Sequence, residues 1–126
     1  MPEFKKFLLI GAALAALSVL FGAFGAHGLK NMGLEANLIG NFETAARYQF
    51  YHALGLILIF ILSDHTLKPS LLSKSGWLMT TGTLLFSGSL YLYVLSGVKT
   101  FALITPIGGV LMVIAWLVLM LAAIRR

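Results

Sequence analysis

The sequence predicts an all-α membrane protein: a single domain, residues 1–126, folded as a four-transmembrane-helix bundle. Three observations predict it. Of the 126 residues, 60% are hydrophobic and 10% charged, with a mean hydropathy of +0.97; an ordinary soluble domain has about 25% charged and about 45–50% apolar residues. The apolar residues fall into four runs, each near the ~20 residues needed to cross a ~30 Å hydrocarbon layer. Lysine and arginine gather at the ends of those runs. A soluble fold of this size could not hide so much apolar surface.

The first span covers about residues 7–26, after Lys5 and Lys6. A basic start and an apolar run are also marks of a signal peptide, but a signal's apolar region is about 7–15 residues. The longer run is expected to stay as a membrane helix. Residues 27–41 are mixed in polarity, with Leu34, Leu38, Ile39 and Phe42 close to a helical stripe. They predict a short amphipathic lead-in near the interface, feeding into the second span at about residues 43–63. That span enters polar and turns apolar from Ala53 to Leu62. A polar turn follows, in which Pro69 is expected to stop the helix.

The third span is about residues 76–96. Trp77 near one end and Tyr91 and Tyr93 near the other resemble the aromatic belts of span ends. Thr80, Leu84, Ser87 and Tyr91 share a face that should point into the bundle. The fourth span is about residues 106–124, with Thr105 as N-cap and Pro106 at the first helical position. Its nineteen residues at about 1.5 Å each nearly match the hydrocarbon thickness.

Charge sets the expected orientation. Lys5, Lys6, Lys68, Lys74, Arg125 and Arg126 fall on one side of the membrane. Lys30, Lys99 and, if it lies near the surface, Arg47 fall on the other. The bias puts both termini in the cytoplasm, N-in and C-in. The net charge of +5 is therefore membrane-orienting, and no nucleic-acid partner is expected. The chain has no cysteine, which removes disulfides, thiolate metal sites and cysteine nucleophiles from consideration.

The segment that could carry chemistry is the polar entry of the second span. Glu43 and Arg47 are spaced to pair along a helix, and Tyr48 and His52 repeat that spacing. Ala45, Tyr48, Gln49 and His52 share a face. Antiparallel neighbouring helices could bring His27, at the end of the first span, to the same membrane face as His52. The candidate polar site is thus His27, Glu43, Arg47, Tyr48, Gln49 and His52. One reading is hydrogen bonding between packed helices, with Glu43 and Arg47 among the headgroups. The other is a small outward-opening site for a proton, cation or polar ligand. Two histidines and a glutamate without tight spacing do not make a zinc motif. No metal or other cofactor is expected, and no catalytic pattern is present.

The 13 glycines suit helices that approach closely. Ser18, Gly22 and Ala26 repeat at four-residue spacing, as do Gly11 and Ala15. Gly22, Ala26, Gly88, Gly108 and Gly109 are the expected helix-packing positions.

Four motifs, in order along nearly the whole chain, carry a family resemblance. Gly22-Ala23-Phe24-Gly25-Ala26-His27-Gly28-Leu29 resembles a GAxGAHGL signature. Phe42-Glu43-Thr44-Ala45, Tyr48-Gln49 and Tyr51-His52-Ala53-Leu54 resemble an FxTAxxYQxYHAL signature. Ser87 to Tyr91, and Ile104 to Gly109 with Trp116 beyond, resemble a third and a fourth block. The chain resembles the family called domain of unknown function 423, which is similar to transmembrane protein 256. The resemblance implies a four-helix protein of the bacterial cytoplasmic membrane and supplies no activity. The expected role is a structural or accessory membrane component, with lipids and further copies or a larger complex as the expected partners. The alternative is an oligomeric transporter, channel or ligand-binding protein with its polar site near the outer face.

Overall fold

The computed structural model describes residues 2–125; Arg126, counted above in the C-terminal basic pair, lies outside them. After a 3-10 turn, Pro2–Phe4, the chain forms α1, Lys5–Asn31, then α2, Ala36–Leu62, and α3, Pro69–Ser96. A second 3-10 turn, Lys99–Leu103, leads into α4, Thr105–Ile124. No strand occurs among the described residues. All four helices are long and apolar enough to cross a membrane.

The helix ends differ from the sequence expectation for identifiable reasons. α1 continues past Ala26 because nothing up to Asn31 breaks it; it stops before Gly33, whose φ of +76° suits the left-handed region that glycine enters freely. The lead-in feeds directly into the second span, as expected. From Ala36 it is the first turns of α2, and Leu34, Leu38 and Ile39 pack on Leu29, Phe42 and Val94. Pro69 does not stop α2, which ends at Leu62. It opens α3 instead, where its fixed φ and missing N–H suit the first turn. Thr105 is not an N-cap either: it is the first residue of α4, and its hydroxyl shares a hydrogen bond with Ser89 on α3.

Short connections make consecutive helices antiparallel neighbours. α1 packs on α2, α2 on α3, and α3 on α4. At the end bearing the termini, Phe4, Phe7 and Leu72 are buried, and the Lys6 ammonium sits 5.2 Å from the Trp77 ring centre. At the other end, Phe42 is surrounded by the rings of Phe21, Phe24 and Tyr91. Outward, Leu20, Leu58, Leu84, Val113 and Leu117 are exposed. An apolar surface this continuous is compatible with lipid and not with water.

Glycine does bring helices together, at a partly different set of positions. A Cβ on Gly11 would lie 2.7 Å from the Ala53 carbonyl oxygen, and one on Gly108 would lie 2.3 Å from the Phe86 nitrogen. At Gly22 and Gly88 it would meet nothing within 4 Å, and at Gly109 it would make ordinary contact with Phe86. Ala26 is exposed, whereas Gly25 is buried against Phe42. The reason is helical phase. Each four-residue step overshoots a turn by about 40°, so from Ser18 the face has drifted past Gly22 and well past Ala26. A seven-residue step returns to within about 20°, and that step lands on Gly25. The same drift turns Leu84 out to 58% exposure while Thr80, Thr83 and Ser87 are buried.

Candidate functional site

The polar side chains of α2 divide into two hydrogen-bonded groups and one exposed group. Gln49 lies thirteen residues from either end of α2 (49 − 36 and 62 − 49), which is the middle of the helix. Its Nε2 donates to the Leu14 carbonyl oxygen of α1 at 2.7 Å, and its Oε1 accepts from the Tyr91 hydroxyl of α3 at 2.6 Å. A carbonyl oxygen can only accept, so the amide orientation is fixed. One buried side chain therefore ties three helices together.

His52, one turn further on, faces α4. The Trp116 Nε1–H donates to its Nε2 at 3.0 Å, and its Nδ1 is 2.8 Å from the Tyr48 carbonyl oxygen. An indole nitrogen is only a donor. His52 Nε2 must then be the bare acceptor, and Nδ1 carries the proton donated to Tyr48. Both bonds together select one neutral tautomer. The rings of His52 and Trp116 also meet edge to face at 5.7 Å.

Further hydroxyls join the helices in the same way. Ser87 donates to the Ala45 carbonyl and Ser75 to the Ala115 carbonyl, each at 2.7 Å. Among the described residues Thr83 Oγ1 is the exception, a buried hydroxyl without a partner. In a helix, a threonine rotamer can direct that hydroxyl at the carbonyl four residues earlier.

The other candidates lie elsewhere. His27 is exposed near the end of α1. α1 and α2 run in a register that sets Gly25 beside Phe42 and Gly11 beside Ala53. His27 is thus about twelve residues, roughly 18 Å along the axis, from the level of His52. The two histidines do not converge, and Gln49 and His52 are buried between helices instead of opening outward. Glu43 and Arg47 do not pair: Arg47 Nη2 donates to Thr44 Oγ1 at 3.2 Å, and both side chains are exposed in a groove between α1 and α2. Tyr48 is 41% exposed and stacks over His52. Together with His52, Phe86, Met112 and Trp116 it lines a lateral cleft of about 510 Å³ between α2, α3 and α4. Among the described residues no three histidine, aspartate or glutamate side chains are grouped to hold a metal ion.

Sequence reasoning found Gln49 and His52 but not their partners. Tyr91 had two readings, a belt residue and a member of the face that points into the bundle; its hydroxyl points inward, to Gln49. Trp116 was visible as a tryptophan far from either end of an apolar helix, where a belt residue has no place. That was the available signal.

Four apolar helices, joined by bonds between their own buried polar groups, define a small multi-pass α-helical membrane protein. The chain belongs to the family described as "Protein of unknown function (DUF423)", which matches residues 21–109. It is similar to the UPF0382 membrane protein SSP2132 of Staphylococcus saprophyticus, 43% identical over 121 residues, covering 96% of this chain and 98% of the relative. It is also similar to the UPF0382 membrane protein YwdK of Bacillus subtilis, 39% identical over 121 residues, with 96% and 98% covered. No solved structure matches the chain.

Proposed function

We propose that the protein is a structural or accessory component of the bacterial cytoplasmic membrane, with both termini in the cytoplasm, and not a conduit or a catalyst. One observation carries the reading. The polar side chains buried within the span, Gln49 and His52, spend both ends of their hydrogen-bonding capacity inside the chain. A transport path needs polar groups free to exchange partners with the passing species. A general base needs a nitrogen within reach of a substrate proton, and both nitrogens of His52 are engaged. The orientation rests on the lysine and arginine bias of the connections.

Purified protein in liposomes should leave proton and potassium flux at the level of empty liposomes. His52→Ala should leave flux unchanged and lower the unfolding free energy in detergent by about 1–3 kcal/mol, from one lost interhelical bond and a cavity. A flux present in the wild type and abolished by His52→Ala would overturn the reading. A reporter active only in the cytoplasm should work at either terminus; a silent fusion at one end contradicts the orientation.

A further inference from the structure

The groove between α1 and α2 carries two opposite charges that do not neutralise each other. Ser18, Val19 and Gly22 of α1, with Glu43, Arg47 and Phe50 of α2, line about 420 Å³ of space that opens sideways. Gly22 forms part of its floor, and nothing within 4 Å stands over that glycine. Among the described residues Arg47 uses a single donor, toward Thr44, of the five a guanidinium offers. The Glu43 carboxylate has no hydrogen-bond or ion-pair partner among the described residues.

The depth of these charges follows from the bonds between helices. Ser87 reaches the Ala45 carbonyl, and Ser89, two residues nearer the end of α3, reaches Thr105, the first residue of α4. The Glu43–Arg47 turn is therefore level with the first turn of α4. α4 has 20 residues, about 30 Å, which is the thickness of the hydrocarbon layer. Its first turn marks the hydrocarbon boundary, so Glu43 is at headgroup level and Arg47 is within reach of it by extending its stem. Toward mid-membrane the groove turns apolar, through Gly22 and Val19 to Phe50. Ser18, at that depth, turns its hydroxyl back to the Ala15 carbonyl.

We infer that this groove holds one phospholipid with a zwitterionic, amine-bearing headgroup. Arg47 pairs with the phosphate, Glu43 pairs with the ammonium, and an acyl chain lies over Gly22, Val19 and Phe50. The order of chemistry along the groove, anion and cation at the boundary and then apolar surface, is the order along such a lipid. Arg47 alone would serve any phosphate. Glu43 beside it repels a headgroup that is only anionic and completes the match to one carrying both charges. The volume falls in the ~300–1,000 Å³ range of small-molecule sites. The site does not depend on the accessory reading and would exist in a transporter equally well.

The test is native mass spectrometry of the protein released from nanodiscs that contain phosphatidylethanolamine and phosphatidylglycerol in equal amounts. One phosphatidylethanolamine should stay bound, preferred over phosphatidylglycerol by roughly tenfold. Gly22→Leu fills the groove from an open position, so it should melt with the wild type and retain no lipid. Arg47→Gln should lose the lipid. Glu43→Gln should reverse the preference toward phosphatidylglycerol, a gain that misfolding cannot produce. Soluble glycerophosphoethanolamine in excess should fail to displace the lipid, because it lacks the chains. Equal retention of the two lipids, retention unaffected by Gly22→Leu, a preference unmoved by Glu43→Gln, or displacement by the soluble headgroup would each overturn the proposal. So would a lipid-free dimer that Gly22→Leu separates, since a second copy would then occupy the groove.

Discussion

Gly108→Ala is expected to destabilise the bundle by roughly 3 kcal/mol or more, at the upper end of overpacking effects. The added Cβ would lie 2.3 Å from the Phe86 nitrogen and 2.8 Å from both the Gly82 carbonyl oxygen and the Phe86 Cα. All three are backbone atoms, so no rotamer change relieves the contact. α3 and α4 must move apart along their whole crossing. Met112, which packs where a Cβ of Gly82 would stand, would lose its seat, and the Ser75–Ala115 and Ser89–Thr105 bonds would stretch. Two controls make the prediction specific. Gly109→Ala, next in sequence, and Gly22→Ala, in open space, should each stay within about 0.5 kcal/mol of the wild type. The measurement is unfolding free energy in mixed micelles. A Gly108→Ala variant as stable as the two controls would mean that α3 and α4 do not cross where described.

Gln49→Ala is expected to cost about 3–5 kcal/mol. Interhelical hydrogen bonds in membranes average about 0.6 kcal/mol each and reach about 1.7. Two are lost, from Leu14 and from Tyr91. The Tyr91 hydroxyl is left half-buried without its acceptor, at about 1–3 kcal/mol. The truncation also opens a cavity where three helices meet. Gln49→Leu separates these effects, because it keeps the volume and loses only the bonds; it should recover roughly half of the deficit. A double-mutant cycle of Gln49→Leu with Tyr91→Phe should return a coupling of about 1 kcal/mol. A coupling of zero would show that the Gln49–Tyr91 bond contributes nothing to holding α2 on α3.

The architecture was legible in the sequence because the bilayer imposes it. Four apolar runs of spanning length, with basic ends and short connections, admit few other solutions. Gly108 was legible for a related reason: a glycine pair just inside a helix start, next to Pro106, signals close approach. Helix phase was not legible. In a soluble helix the outer face is polar and the period of the pattern locates the core. Here lipid-facing Leu84 and core-facing Leu90 are the same residue type, so apolar periodicity could not tell them apart. That is why Gly22 and Ala26 were read as contacts and Gly25 was not. Helix ends were misjudged where polar residues continue a helix beyond the hydrocarbon, as from Pro69 to Ser75 in α3.

The candidate site was half legible. Gln49 and His52 are polar residues in a span, and such residues require partners. Their partners on other helices lie 35 to 64 residues away in sequence, on faces whose phase the sequence left open. The pairing of His27 with His52 failed on register: both lie on antiparallel neighbours, but α1 meets His52's level near Gly11 and Leu14. Glu43 and Arg47 satisfied the spacing for an ion pair. Exposure toward the groove leaves each directed outward instead.

The central claim is that the polar centre of the bundle is dry and closed on itself. Solid-state NMR of the protein in lipid bilayers, with ¹⁵N-labelled histidine and glutamine side chains and magnetisation transferred from water, tests it most directly. The account predicts a single neutral His52 tautomer, protonated at Nδ1 with Nε2 in a hydrogen bond, and a Gln49 amide that receives no magnetisation from water on the timescale that reaches exposed His27. Rapid transfer from water to Gln49 or His52, or a mixture of His52 tautomers, would contradict the account and point to a hydrated site.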